Sequence, residues 1–390
     1  MTEILPRDIS IAKELKNKAE RDLREFRIKY LTSKTSGGLG DIIKKTFTSQ
    51  NNKKKYDDGS EYEGQLNVNG EKHGKGIMYF TNGHMYFGDW FKDRFHGKGT
   101  YVFPNGEMYE GDLVDGEKSG KGDFYYINGN IYHGNWKNNQ KHGNGEIRFS
   151  NGDVFKGVWE NGLYQGFCKH TFFYGDEFEG NYKLGKKHGR GKMIFDNGSL
   201  FEGEWYNDRA NGSGRLDYPN GDIYEGNYED SKKAGQGSYW YNTDEIYQGK
   251  WKNDEKNGIG LMKYSNGDSY EGEWRDGQRN GKGIYKSNNG FKYEGQYSNN
   301  KRHGVGIILF PDGGYYNGEW DNGNKSGNGL QCLANGDIYQ GKWQNNKKHG
   351  PGKYIWKSGD MFEGIFENDN VISGSFHRAD GSTVQIDMNS

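Results

Sequence analysis

From about residue 57 to 376 the chain alternates apolar and polar positions with period two, in short runs divided by Gly and Asn, and period two is the signature of strands. The runs recur. Aligned on the Gly of an aromatic-x-Gly triplet, they fall at Gly64, Gly88, Gly111 and onward to Gly364, one step of 24 residues followed by steps of 23, which makes fourteen repeats. An aromatic residue stands two positions before that Gly in all fourteen, from Tyr62 and Tyr86 to Phe362, and Trp or another large apolar residue stands two positions after it, from Leu66 and Trp90 to Phe366. Spacing two puts all three on one face of a strand. A second Gly recurs from Gly74 to Gly350 and a third two residues beyond it, from Gly76 to Gly352, replaced once, by Cys168. Apolar residues follow at period two, as in Ile147 and Phe149. Each repeat therefore reads as two strands, and the Asn-Gly pair that divides successive repeats in nine cases, Asn105-Gly106 among them, is the short hairpin signal.

Glycine inside a strand costs roughly 0.5–1 kcal/mol against Ala, so three per repeat need a reason. The reading is room: a Gly facing the same side as Tyr and Trp leaves a notch for a neighbouring strand's ring. A ring on a one-sided sheet is half covered, so truncating Trp251 should cost about 1.5–3 kcal/mol, below the ~3–5 of a fully buried Trp. Two repeats depart from the rule. Repeat five has Gln165 where His is usual, Cys168 for Gly and Tyr174-Gly175 at its turn; repeat eight has Thr243-Asp244-Glu245 in place of Asn-Gly. Kinks or altered pairing are expected at both, with an exposed aromatic docking patch in repeat five built from Tyr164, Phe167, Phe172, Phe173 and Tyr174.

Residues 1–56 share none of this. Ile11, Leu15, Ala19, Leu23, Phe26 and Tyr30 step by three or four, which predicts an amphipathic helix over about 9–31 with Asp8 as its N-cap and Ile11, Leu15, Leu23 and Phe26 as docking residues. Residues 32–56 read as an irregular linker. Residues 1–55 carry 14 basic and 7 acidic side chains, net +7, so the remainder carries -8 against the whole-chain charge of -1. A basic arm thus precedes a mildly acidic array, and Thr383 to Asp387, within a C-terminal tail of 377–390, is placed to cap the last strand.

Composition sharpens the class. Among 390 residues there are 64 Gly and 5 Pro, and mean hydropathy is -1.13, polar enough for disorder, but aromatic residues reach 15%, and disordered chains are poor in them. Rings replace an aliphatic core. The near-balance of charge gives no reason to expect a nucleic-acid partner. No run of 18 apolar residues occurs and the N-terminus lacks an apolar leader core, so a soluble intracellular protein is expected. Two cysteines, Cys168 and Cys332, allow neither a disulfide framework nor a cysteine zinc site.

Three constellations invite a chemical reading. Six His precede the second Gly (His73, His96, His142, His188, His303 and His349), but equivalent atoms in adjacent repeats lie about 10 Å apart, too far to share a zinc ion, so ring packing or a turn hydrogen bond is expected. Eight Glu precede the first Gly (Glu63, Glu110, Glu179, Glu202, Glu225, Glu271, Glu294 and Glu363) and read as a solvated face. The Gly-x-Gly lacks the strand-to-helix setting of a phosphate loop, and no catalytic metal, cofactor or nucleophile motif occurs.

The pattern Tyr-Glu-Gly-x-Trp leading to Gly-x-Gly and Asn-Gly, as in Tyr270-Glu271-Gly272-Glu273-Trp274 with Gly281-Lys282-Gly283, resembles the MORN repeat family over about residues 62–375. The resemblance implies stacked β-hairpins in one elongated, twisted, antiparallel all-β sheet presenting an aromatic face. It further implies a non-enzymatic scaffold without cofactors, similar to the MORN-rich radial spoke head proteins of the ciliary axoneme, whose partners are other proteins of a large assembly. The Asn- and Lys-rich loops agree with the AT-rich genomes of many ciliated protists. A phosphoinositide tether, a regulatory scaffold for an enzyme or a cortical or basal-body assembly, and a homodimer stand as alternatives. The expected location is the cytoplasm and cytoskeleton, in a cilium.

Overall fold

A computed structural model describes residues 52–387. The chain divides into two units, Met1–Arg209 and Ala210–Ser390. In the first, the strand Asn52–Lys55 is followed by six β-hairpins between Glu61 and Ile194 and by the strand Leu200–Tyr206, each strand antiparallel to the next. In the second, seven hairpins between Ile223 and His377 follow the strand that ends at Asp217, and Thr383–Asp387 closes the series. All described strands are β and antiparallel, as expected. The amphipathic helix read over 9–31, with Ile11, Leu15, Leu23 and Phe26, lies outside the described residues.

Every hairpin except the first and the last has an outgoing strand of seven residues and a returning strand of nine, for example Met85–Phe91 and Arg94–Val102. Two different turns build the array. Within every repeat after the first the strands join through two residues, both at positive φ, such as Asn138 (48°) and Asn139 (66°) or Asn253 (49°) and Asp254 (70°), the mirror-image turn whose twist matches the strands. The Asn-Gly pair does something else. At Asn105-Gly106 only Gly106 has positive φ (90°), its N–H bonds to Phe103 O at 3.0 Å, and Phe103 N bonds to Glu107 O at 2.9 Å, which is a three-residue loop with a glycine bulge. The sequence pattern located this hairpin, and the structure changes its type.

A row of glycines runs across each unit: Gly88 pairs with Gly99 within its hairpin and with Gly76 of the preceding one, and the same holds at Gly249, Gly260 and Gly237. These glycines exist for clearance. A Cβ on Gly99 would stand 2.5 Å from Cε2 of Tyr86, which lies flat over the pair. The ring that fills the notch belongs to the hairpin itself. The second Gly has another role: the register slips between Gly88 and Trp90, and Gly97 takes up the slip at φ +64°. Asp89 has no partner across the hairpin there, so its carbonyl accepts from the Tyr86 hydroxyl at 2.7 Å while its carboxylate accepts from Lys98 N at 2.9 Å.

The rings are a core. Tyr86, Tyr109, Tyr132, Tyr247 and Tyr316 are fully buried and Trp90 and Trp251 nearly so, although the strands of each unit pair only with their neighbours in the sheet. Where both rings are present, the Tyr meets the Trp of its own repeat and the Trp of the next edge-on, as Tyr247 does with Trp251 at 5.2 Å and with Trp274 at 5.4 Å, the arrangement favoured by the aromatic quadrupole. The presented aromatic face and half-covered Trp are thereby corrected: the glycine floor lets rings lie down and cover one another.

Three local readings change as well. Asn52–Lys55, read as part of a linker, is a strand paired with Glu61–Leu66, and Lys53 and Lys55 meet Glu63 and Glu61 at 3.3 and 3.4 Å, a lysine-rich strand of the kind that blunts sheet edges. Repeat eight keeps its register, because Asp244 adopts the left-handed conformation (φ 65°) that Gly takes elsewhere. Repeat five also keeps its register, with Cys168 opposite both Gly157 and Gly180. Its rings do falter: Phe155 and Trp159 stand 5.8 Å apart at 74°, and the Trp159 Nε1 makes no hydrogen bond.

Candidate functional site

The face that carries the rings also carries a row of cations that sequence reading missed. A Lys or Arg two residues past the tight turn folds over the ring column. Lys118 Nζ lies 4.6 Å from the ring centres of Phe124 and Trp136, and Lys141 Nζ lies 4.5 Å from Trp159; Lys233, Lys256 and Lys325 repeat the arrangement and Arg302 sits 4.1 Å over Trp320. Burial pushes the ammonium groups of Lys118, Lys141 and Lys325 down to about 8. The signal was present, a basic residue five after the Trp position in most repeats, but the aromatic and glycine periods alone were read there. These side chains roof the core with their stems.

The opposite face holds the glutamates. Glu63, Glu202 and Glu363 are exposed and pair across strands with Lys53, Lys192 and Lys353 at 3.3, 3.2 and 2.9 Å. The histidines pack instead on the residue that follows the next Trp position, His73 on Phe91 at 5.3 Å and His188 on Tyr206 at 5.4 Å, while His303 faces Asp321 at 3.4 Å. Among the described residues no three His, Cys, Asp or Glu side chains gather as metal ligands. The amides of the Gly-x-Gly are already used, Lys98 N by Asp89 and Lys282 N by Glu273 at 2.9 Å each.

Repeat five divides its expected docking residues between the two faces. Tyr164 takes the place of the caging lysine and is half-buried, stacked 3.5 Å from Phe155 and 4.4 Å from Trp159. Phe172, also half-buried, stacks on His170 at 3.9 Å and on Tyr174 at 5.5 Å. Phe173 and Tyr174 are exposed at the loop, and Phe167 is 60% exposed on the face away from the rings. The structure therefore groups Phe172, Phe173 and Tyr174, keeps Tyr164 in the core and sets Phe167 apart. Two more exposed apolar residues went unread, Leu163 and Leu184, the latter at φ 51° in a tight turn that uses Asn, Asp or Lys in the other repeats.

No curated protein matches this chain. Among solved structures, the TCP10 domain of Danio rerio CPAP in complex with a STIL peptide is 11% identical with a TM-score of 0.30, covering 68% of this chain and 96% of that one. The SAS-4 TCP domain of Drosophila melanogaster with a proline-rich motif of Ana2 is 14% identical at 0.26, covering 39% and 83%, and a streptogramin B lyase is 14% identical at 0.13, covering 78% and 95%. Such values support no transfer of function. The MORN repeat model matches thirteen consecutive stretches from residue 62 to residue 361. Those stretches contain the glycine row, the stacked rings and both turns described above, and the chain belongs to the MORN repeat family.

Proposed function

We propose that this protein is a non-enzymatic structural scaffold of a cytoskeletal assembly, a component of the ciliary axoneme comparable in kind to the MORN-rich proteins of the radial spoke head, acting through contacts with other proteins. The observation that carries this reading is the use to which the side chains are put: tyrosine hydroxyls, indole N–H groups, lysines and aspartates recur at fixed places and bond within or between repeats, as Tyr86 does to Asp89 and Trp90 to Gly76. A chain built this way supplies a repeated, self-bonded frame with outward-facing variation. The amphipathic segment over 9–31 supplies an anchor, since a lone helix of that length is marginal in water without a surface for its stripe.

A second reading, a peripheral tether to anionic lipid, is favoured by one feature, the exposed Lys53, Lys54 and Lys55 on the first strand next to a basic arm. A regulatory scaffold for an enzyme or a cortical assembly would use the same surfaces. Crosslinking mass spectrometry on the tagged protein in cells tests the proposal: axonemal protein partners support it, and their absence removes it. Leu15→Asp with Leu23→Asp should release the protein from its assembly while the β circular dichroism stays unchanged. Flotation of the full chain with anionic liposomes, lost on changing Lys53, Lys54 and Lys55 to Ser, would favour the tether.

A further inference from the structure

On the face away from the rings, repeat five inverts the chemistry of its neighbours. The position before the first Gly is Glu in eight repeats; here it is Lys156. Directly across the hairpin stands Lys169, so two cations oppose one another on an exposed surface, with Glu146 opposite Lys156 and Glu179 opposite Lys169 on the outer strands. Lys169 meets Glu177 at 3.0 Å, and Lys156 has no ion-pair partner among the described residues. The second row of this face inverts as well. Repeats one to three close it with Lys75–Asp89 and Lys98–Asp112 ion pairs, both at 2.7 Å, whereas repeat five presents Val158 and Phe167 there, 37% and 60% exposed.

Between the two rows lies a groove of about 640 Å³ whose floor is the backbone of Gly134, Gly145 and Gly157. Lys156 and Lys169 stand on one wall with Glu146 beside Lys156, Val158 and Phe167 stand on the other, and Lys121 and His133 lie at its far end, so the lining keeps an excess of cations. The structure assigns this groove, resting on the protein-scaffold reading above, as the docking site for an extended acidic segment of a partner protein that carries an apolar anchor residue. Carboxylates of the segment meet Lys156, Lys169 and Lys121, and the anchor packs on Phe167 and Val158. A membrane surface fits less well, because the flanking repeats present Asp123, Glu179 and Glu202 on this same face and would repel anionic lipid on either side.

The test is fluorescence anisotropy on the full chain at about 50 mM salt. The probes are a fluorescein-labelled peptide of alternating Asp or Glu with a central Phe-Leu pair, its counterpart with Lys for every acid, and its counterpart with Ser for Phe and Leu. Saturable binding of the first probe alone is expected. Lys156→Glu with Lys169→Glu should weaken it at least about tenfold, and Phe167→Lys at least about fivefold. These substitutions install what other repeats carry, so circular dichroism and melting should hold, and Lys192→Glu in repeat six serves as the charge control that leaves binding intact. Failure of the acidic probe to bind, equal binding by the variants, equal binding of the basic probe, or binding only to phosphatidylserine vesicles each overturns the assignment. In-cell crosslinks to protein partners at other repeats would then leave the scaffold reading standing, whereas no protein crosslinks at all would remove that reading itself.

Discussion

The indole Nε1 of Trp251 donates a hydrogen bond to the backbone carbonyl of Gly237 at 3.1 Å, and that bond ties one repeat to the one before it. Trp251 is 6% exposed, with Lys233 over its face at 5.1 Å and Tyr224 and Tyr247 edge-on at 5.3 and 5.2 Å. Burial on this scale places Trp251→Ala at about 3–5 kcal/mol, above the value expected for a half-covered ring. Trp251→Phe keeps most of the packing and isolates the hydrogen bond at about 1 kcal/mol. Urea denaturation gives the two costs. Hydrogen exchange should show protection lost in repeats eight to ten, since repeat arrays couple to nearest neighbours, and a uniform loss would contradict it.

The glycines of one Gly-x-Gly should respond differently to substitution. Gly99→Ala drives a methyl into the ring of Tyr86 and should cost at least about 2–3 kcal/mol. Gly97→Ala meets chiefly a backbone penalty of about 1–2 kcal/mol, with the movable Asp89 carboxylate, 2.8 Å from the added methyl, having to shift. Asn tolerates the left-handed conformation, so Gly97→Asn should be milder than Gly97→Ala while Gly99→Asn is worse than Gly99→Ala. The reverse order in chemical denaturation would show that clearance and conformation have been assigned to the wrong residues.

Acid should loosen the boundaries between repeats. Asp337 accepts from Lys357 N at 3.0 Å and from the Tyr354 hydroxyl at 2.8 Å; Asp268 accepts from the Tyr285 hydroxyl and from Asn288 N at 2.9 Å. These bonds hold both carboxyls below the usual range, the Lys357 amide leading for Asp337 and the Tyr285 hydroxyl for Asp268. A carboxyl lowered on folding stabilises fully above its unfolded value, near 4, and loses that contribution as pH falls through its folded value. The melting temperature should therefore drop below about pH 4. Asp268→Asn with Asp337→Asn should melt lower at neutral pH and show a shallower acid slope. An unchanged slope would refute the linkage.

The two thiols should separate in reactivity. Cys168 is buried among the rings of repeat five, and burial pushes its thiol above the usual range, while Cys332 is half-buried. Maleimide should label Cys332 first and reach Cys168 only with unfolding. Cys168→Gly with Gln165→His restores the common repeat and should leave stability level or raise it by about 1 kcal/mol. A clear loss in thermal melting would mean that repeat five has its own packing optimum.

Much of this molecule is written as period. The steps of 23 residues located every hairpin, and the spacing of Tyr86, Gly88 and Trp90 put three residue types on one face, because strand side chains alternate whatever surrounds them. The role of the notch glycines was legible for the same reason. The tight turns were also readable, in pairs such as Asn138-Asn139 and Asn253-Asp254, yet the more familiar Asn-Gly signal drew attention to the other loop. For repeat five, sequence marked the irregular place through Cys168 and Gln165, but it could not tell that Tyr164 enters the core while Phe167 faces water.

How the ring face is covered was left to the tertiary structure. Alternation says that residues share a side; it does not say what covers that side. Coverage comes from the next repeat, 23 residues away, whose Trp stands edge-on to each Tyr, and from lysines such as Lys118 and Lys233 whose stems fold over the rings although their charge alone places them in solvent. The same holds for the opposed Lys156 and Lys169, which sequence separates by a turn and a bulge and only the register of the strands brings face to face. Sequence by itself determined the strand, the hairpin and the shared ring face; pairing across strands decided what covers that face and which charges met.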